Sequence, residues 1–149
     1  ADAMWREIVA VEDETIRNKL VSAVASRLGQ QFALQCESDH PEDSFQERMR
    51  KLSDAMSARH MVTEVTTAGE LPVLDIGMCP FPTLTDASDD RAMCRLEEQM
   101  ISEALGQPVH LSSCRLDGDD CCQFSAVTIT ADSGVTTETD AGSQLANDA

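Results

Sequence analysis

The chain lacks any apolar run approaching the roughly 18 consecutive residues that a membrane-spanning helix needs. Its N-terminus also lacks the basic segment followed by an apolar one that marks a secretory signal peptide. These two absences predict a soluble, cytoplasmic protein without a membrane partner. The chain begins Ala1-Asp2-Ala3-Met4 with no initiator Met at position 1, and a helical pattern is already present by Trp5, which suggests a fragment or an excised domain.

Basic residues are also scarce. The sequence has 11 Lys and Arg against 27 Asp and Glu, which gives a formal net charge of -16. Such a surface repels the phosphate backbone of nucleic acids instead of displacing its counterions. We therefore expect that this chain does not itself bind DNA. Its 149 residues and 42% hydrophobic content suffice for one compact domain rather than two.

Hydrophobic periodicity and turn residues predict the order α-α-β-β-α-β-β within a domain spanning 1–130. This pattern favours an α+β fold, with a four-stranded antiparallel sheet and the helices on one face. Residues 131–149 are polar and acidic and predict a disordered tail. The first predicted helix is 5–28 and ends at Gly29. The second is 45–56, after a capping box of Ser44 and Glu47, and the third runs from Asp89 or Asp90 to Gly106. The predicted strands are 61–66, 71–76, 109–116 and 122–129.

The six cysteines include no closely spaced Cys-x-x-Cys pair of the kind that usually marks structural zinc. In a chain without a secretory signal they indicate metal or redox thiols rather than disulfides. Cys79 lies in the loop after the predicted hairpin, Cys94 in the first turn of the third helix, and Cys122 opens the last strand. Single thiols on separate elements suit an iron-sulfur cluster. Cys36 lies in the connection after the first helix, where we expect a small buried hydrophobe.

Three motifs together resemble the C-terminal sensor half of the iron-sulfur-responsive repressors of the Suf cluster-assembly operon, which are winged-helix regulators. The motifs are Cys79-Pro80-Phe81, then Cys94-Arg95-Leu96-Glu97 with Leu105-Gly106-Gln107-Pro108-Val109, and finally Gly118-Asp119-Asp120-Cys121-Cys122-Gln123-Phe124. The resemblance implies a 4Fe-4S cluster bound by Cys79, Cys94 and Cys122. It further implies a homodimeric transcription regulator whose operator DNA is bound only by a winged-helix domain that is absent here.

The resemblance leaves the fourth ligand open. Cys114 sits at a spacing that does not match the extra ligand of the four-cysteine members, and His60 or His110 are further candidates. Cys121 and Cys122 should point to opposite faces of a strand, so we expect only one of them at the site. The Cys-x-Phe match favours Cys122, and Cys121 is its alternative.

Two other functions compete with a cluster sensor. The motif from Gly118 to Phe124 also resembles ligand-binding domains of the vinyl-reductase type, which implies a zinc-stabilised site for an apolar small molecule. A thiol redox enzyme using Cys121 and Cys122 is a third hypothesis, weakened by the strain of disulfides between adjacent cysteines. The sequence contains no Ser-His-Asp, Cys-His or paired-carboxylate constellation, so we do not expect an enzyme.

Overall fold

A computed structural model describes residues 1–36, 44–79, 81–87 and 89–127. The predicted disordered tail, the segment 37–43 and the end of the last predicted strand lie outside the described residues. The elements are α1 Asp2–Val9, α2 Glu14–Cys36, α3 Phe45–Ser57, β1 Thr63–Ala68, β2 Leu71–Ile76, α4 Pro82–Thr85, α5 Ala92–Leu105, β3 Val109–Ser113 and β4 Cys122–Ala126, with a 3-10 turn at Arg115–Asp117.

The predicted α+β class is confirmed. The four strands form one antiparallel sheet in the order β1-β2-β4-β3, in which both hairpins place their strands side by side. Strands β2 and β4 join the two hairpins at the centre, where Leu74 pairs with Phe124 and Ile76 with Cys122. Pairing of β2 with β4 brings the end of the first hairpin beside the start of the last strand.

The helices cover one face of this sheet. Helices α3 and α5 contact the strands, and α2 packs mainly against α5 and α3. The central side chains of the core, Leu74 and Phe124 on the sheet and Leu52 and Ile101 on the helices, have no exposed surface. Burial of large apolar side chains contributes roughly 1.5–3 kcal/mol each, so this layer holds the helices in place over the sheet.

The predicted first helix, 5–28, is wrong as a single element. It is two helices, and the second begins after Asp13, whose Oδ1 accepts a hydrogen bond from the backbone N–H of Ile16 at 3.1 Å. A side-chain acceptor at this position caps a new helix, because it satisfies an N–H that has no partner in the first turn. The apolar spacing alone does not reveal such a break. Helix α1 is fixed by Trp5, whose Nε1 donates to the carbonyl of Leu84 at 2.9 Å.

Gly29 does not end α2, contrary to the sequence prediction. The helix continues to Cys36 because Phe32 and Cys36 extend its buried stripe. A Cβ at position 29 would lie 2.4 Å from Cβ of Glu103 and 2.7 Å from the carbonyl oxygen of Met100, both on α5. The glycine therefore allows close approach of two helices instead of terminating one.

Replacing Gly29 with alanine is expected to lower the free energy of unfolding by about 1–3 kcal/mol, because α2 and α5 must separate to admit the methyl group. In a helix interior alanine is ordinarily more stable than glycine by about 1 kcal/mol. A decrease in the free energy of unfolding would therefore be caused by the packing of α2 against α5 and not by helix propensity. Urea denaturation measures it. Gln30→Ala, at an exposed neighbouring position, is the control; a stabilised Gly29→Ala protein would contradict the close approach.

Most other boundaries agree with the predictions. Ser44 Oγ accepts from the N–H of Glu47 at 3.2 Å, which confirms the cap of α3. The predicted stop at Gly106 is confirmed, and its φ of 68° is left-handed; Gly118, in the turn before β4, has a φ of 99°. The third predicted helix begins slightly later than expected, at Ala92, whose N–H donates to Asp90 Oδ1. The strand predicted over 109–116 ends at Ser113, and the short helix α4 was not predicted.

Candidate metal centre

Three cysteines meet where α5, the end of β3 and the start of β4 converge. Cys94 lies in the first turn of α5, Cys114 follows β3, and Cys122 opens β4. The Cys114 side chain is within hydrogen-bonding reach of both the Cys94 and the Cys122 thiols. Cys94 and Cys114 are buried, and Cys122 is partly buried. The fold therefore brings together Cys94 and Cys122, as the resemblance implies, and adds Cys114 between them.

The backbone around this thiol cluster, which we define as Cys94, Cys114 and Cys122, is held by the turn that joins β3 to β4. The N–H of Cys114 donates to Asp119 Oδ2 at 3.0 Å, and the N–H of Arg115 donates to the Cys122 sulfur at 3.5 Å. Gly118 allows the turn its left-handed conformation. This turn holds Cys114 and Cys122 on the helix-covered side of the sheet.

A carboxyl group lies beside the three thiols. Glu97 follows Cys94 by three residues on α5, which places both on the same side of the helix. Glu97 is only 5% exposed, and its Oε1 has no hydrogen-bond partner among the described residues. Burial raises the pKa of Glu97 to about 7, although the positive charge of Arg115 opposes this shift.

Two of these thiols, Cys94 and Cys122, have a raised pKa and hold their protons more strongly than a free cysteine does. Burial, followed by the proximity of Cys114 and Glu97, raises the pKa of Cys94 to about 12. The pKa of Cys122 is also raised, chiefly by burial, against a lowering contribution from the Arg115 backbone N–H. A metal ion that binds here must therefore release protons, because thiolates rather than thiols are the ligands.

Cationic groups lie at the rim of the cluster. The guanidinium of Arg91 donates to Asp117 Oδ1 at 2.6 Å and is close enough to Cys94 and Cys114 for their charges to act on its pKa. The hydrogen bond with Asp117 is the main cause of the raised pKa of Arg91. Arg91 and Arg115 can thus offset part of the negative charge that thiolates and a carboxylate would bring together.

Cys79 lies in the loop after β2, at the end of the sheet where Cys122 opens β4. Its sulfur is 3.2 Å from Oγ1 of Thr85, and that hydroxyl donates to the Phe81 carbonyl, so the thiol is the donor to Thr85. Cys79 follows Ile76, the partner of Cys122, by three residues, a distance of at most about 11 Å along the chain. Thr85 also lines a cleft of about 280 Å³ with Asp86, Asp89, Arg91 and Leu116.

Cys121 is on the opposite face of the sheet. Its sulfur donates to Asp75 Oδ1 at 3.5 Å, and the same oxygen accepts from Gln123 Nε2 at 2.6 Å. Burial, followed by interaction with Asp75, raises the pKa of Cys121. The expected divergence of Cys121 and Cys122 is therefore confirmed by their contacts.

The histidines considered as a fourth ligand are not among the groups that act on the pKa of Cys94 or Cys122. His60 is exposed in the loop after α3, His110 is exposed on β3, and His40 lies outside the described residues. Within the described part of the chain, no group of three or more His, Cys, Asp or Glu side chains already stands in metal-binding geometry. The thiol cluster is therefore not a preformed metal site.

Sequence reasoning did not single out Glu97 as a site residue and left Cys114 as an uncertain one. The signal for Glu97 was present in its spacing of three from Cys94 on a helix. The signal for Cys114 was its position across a tight Asp-Gly turn from Cys122. The signal for Cys114 was obscured because the predicted strand was extended through 114 to 116.

Searches against models of protein families, curated proteins and solved structures found no significant match. Among the described residues, none of the helices combines the length and apolar character that crossing a bilayer requires.

Proposed function

We propose that this domain binds an iron-sulfur cluster at the thiol cluster and acts as the sensor half of a transcription regulator. The observation that carries the proposal is the meeting of Cys94 on α5, Cys114 just after β3 and Cys122 at the start of β4. Thiolates on separate elements are the usual ligands of such clusters. Glu97 lies beside them, and its Oε1 has no hydrogen-bond partner among the described residues. Cys79, expected as a ligand from the resemblance, lies near enough to remain a candidate.

The proposed regulator is a homodimer whose operator contacts belong to a winged-helix domain outside this chain. A net charge of -16 makes direct contact between this domain and DNA unfavourable. Helix α2 offers exposed apolar side chains for pairing: Ile16, Leu20 and Leu34 are 51%, 40% and 68% exposed. Two-fold operators are usually bound by two-fold symmetric proteins, which favours a dimer.

Anaerobic reconstitution with iron and sulfide tests the proposal. We expect a brown protein that absorbs at about 400 nm, contains iron and sulfide in cluster stoichiometry, and elutes as a dimer by light scattering. Colourless protein with stoichiometric zinc would instead support the zinc-stabilised ligand-binding domain. Protein that retains neither metal would exclude both functions.

A further inference from the structure

Cys114 and Cys122 face each other across the turn that joins β3 to β4. The last paired residues of these strands are Ser113 and Gln123, so the next two residues toward the turn are Cys114 and Cys122. Facing residues of antiparallel strands have Cα atoms about 4.5–5.5 Å apart, and a disulfide needs a separation of about 4.4–6.8 Å. The side chain of Cys114 is also within hydrogen-bonding reach of the Cys122 thiol. Strand pairing therefore brings the two thiols to a separation at which a disulfide can close.

Hydrogen bonds hold the turn between the two cysteines. The N–H of Cys114 donates to Asp119 Oδ2 at 3.0 Å, and its carbonyl accepts from the N–H of Asp117 at 2.8 Å. The N–H of Arg115 donates to the Cys122 sulfur at 3.5 Å. Because these bonds already fix the backbone beside both cysteines, little conformational freedom is lost when the cysteines are joined.

The three thiols of the cluster differ in their access to solvent. Cys114 is 2% exposed and Cys94 is 8% exposed, whereas Cys122 is partly exposed. A reagent from solution therefore reaches Cys122 first. The neighbouring Cys121 does not compete for Cys122, because its sulfur contacts Asp75 on the other face of the sheet and adjacent cysteines form strained disulfides.

We infer that Cys114 and Cys122 form a reversible disulfide in the metal-free protein by exchange with a small-molecule disulfide such as that of glutathione. The Cys122 thiolate first attacks one sulfur of the reagent, which forms a mixed disulfide and releases one thiolate. The Cys114 thiolate then attacks the Cys122 sulfur, closes the bridge and releases the second thiolate. The two cysteines are oxidised, and the reagent is reduced to two thiols that take up the two protons lost by the cysteines.

This inference concerns the metal-free chain and does not depend on the proposed function. The bridge uses two of the three thiols in the cluster, so it and a metal ion bound by those thiols exclude each other. Oxidation of this pair would therefore control whether the site can be loaded.

Peptide mapping of the whole chain identifies the bridge. Trypsin cleaves after arginine and puts the cysteines of this region in separate peptides: Cys94 in 92–95, Cys114 in 96–115, and Cys121 with Cys122 in 116–149. Reduced, metal-free protein is equilibrated in glutathione buffers of rising disulfide content, quenched with acid, alkylated and digested. Burial raises the pKa of Cys122, so exchange is slow near neutral pH and each sample is followed until its products are constant. We expect 96–115 to be linked to 116–149 in most of the protein in the most oxidising buffer.

Single substitutions separate the roles of the cysteines. Cys122→Ser should leave 96–115 unlinked. Cys114→Ser should leave glutathione on Cys122, assigned by fragmentation of 116–149, because the thiol that displaces it is gone. Cys94→Ser should keep the bridge. Cys121→Ser is the matched control at the adjacent position, and it should give the same linked peptides as the wild type.

Three results would overturn the inference. One is a link between 92–95 and 96–115, which would make Cys94 the partner of Cys114. Another is wild-type protein without linked peptides in every buffer; neither of these results depends on the folding of a variant. The third is a link to 116–149 that persists in Cys122→Ser and is lost in Cys121→Ser. Cluster binding is measured separately by reconstitution, so the failure of either hypothesis is distinguishable from failure of the other.

Discussion

Cys94→Ser is expected to remove essentially all cluster absorbance at about 400 nm while far-ultraviolet circular dichroism stays near that of the wild type. A serine hydroxyl does not ionise near neutral pH and is a hard ligand, so it cannot replace a thiolate on an iron-sulfur cluster. Helix α5 should persist, because its buried stripe of Leu96, Met100, Ile101 and Leu105 is unaffected.

The adjacent cysteines provide the sharpest control for this prediction. Cys122→Ser should behave as Cys94→Ser does, whereas Cys121→Ser should retain the colour, because the Cys121 sulfur bonds to Asp75 on the other face of the sheet. All variants should be reconstituted side by side and their iron content measured. Full colour in Cys94→Ser, or loss of colour in Cys121→Ser, would show that the cluster is bound elsewhere.

Cys36→Ser is a second control, at a cysteine outside the three motifs. Its expected burial is confirmed, because Cys36 is only 4% exposed, but it is the last residue of α2 rather than part of the connection after the helix. Cys36→Ser would bury a hydroxyl in the core, which costs about 1–3 kcal/mol. Retained colour with lowered stability is the result expected of a cysteine that packs but binds no metal.

The sequence predicts this fold well where a pattern depends on local chemistry. Alternating apolar residues and the turns at Gly69 and Gly118 indicate both hairpins, and Gly106 marks the end of α5. The sequence predicts less about a residue whose role depends on contact with a part of the chain that is distant in sequence. Gly29 has the same appearance as a helix-ending glycine, and only the packing of α5 against it shows the other role.

The same distinction applies to the site. Cys94 and Cys122 can be selected from the motifs in which they occur, but the neighbours of each thiol depend on how β2 pairs with β4 and how α5 lies over the sheet. Cys114, which the motifs do not select, is buried beside both of these thiols for this reason. The pairing of β3 with β4 brings Cys114 against Cys122, whereas the contact that the structure gives for the Cys79 sulfur is with Oγ1 of Thr85.

The stability of the metal-free protein is expected to fall as the pH rises, and Glu97 is the main specific cause. Its pKa is raised by burial from 4.5 to about 7 in the folded protein, so the folded state binds the proton more tightly than the unfolded state. Below about pH 4.5 Glu97 is protonated in both the folded and the unfolded state, so it causes no loss of stability. Between pH 4.5 and 7 the unfolded state ionises first, and the free energy of unfolding should decrease by about 3 kcal/mol, at about 1.36 kcal/mol for each pH unit.

Urea denaturation of the metal-free wild type and Glu97→Gln across this pH range measures the effect. The glutamine variant cannot ionise, so the difference between the two proteins should change by about 3 kcal/mol and favour the variant at neutral pH. The 27 acidic residues also repel one another as they ionise, so the series should be repeated in about 1 M salt, which screens surface charges but not the buried one. If the free energies of unfolding of wild type and variant change in parallel with pH, the pKa of Glu97 is not raised in the folded protein. If the difference in free energy of unfolding between the two proteins changes with pH and persists in salt, the ionised Glu97 side chain destabilises the metal-free domain. Such a cost is expected if the negative charge of Glu97 is needed only when a cation binds.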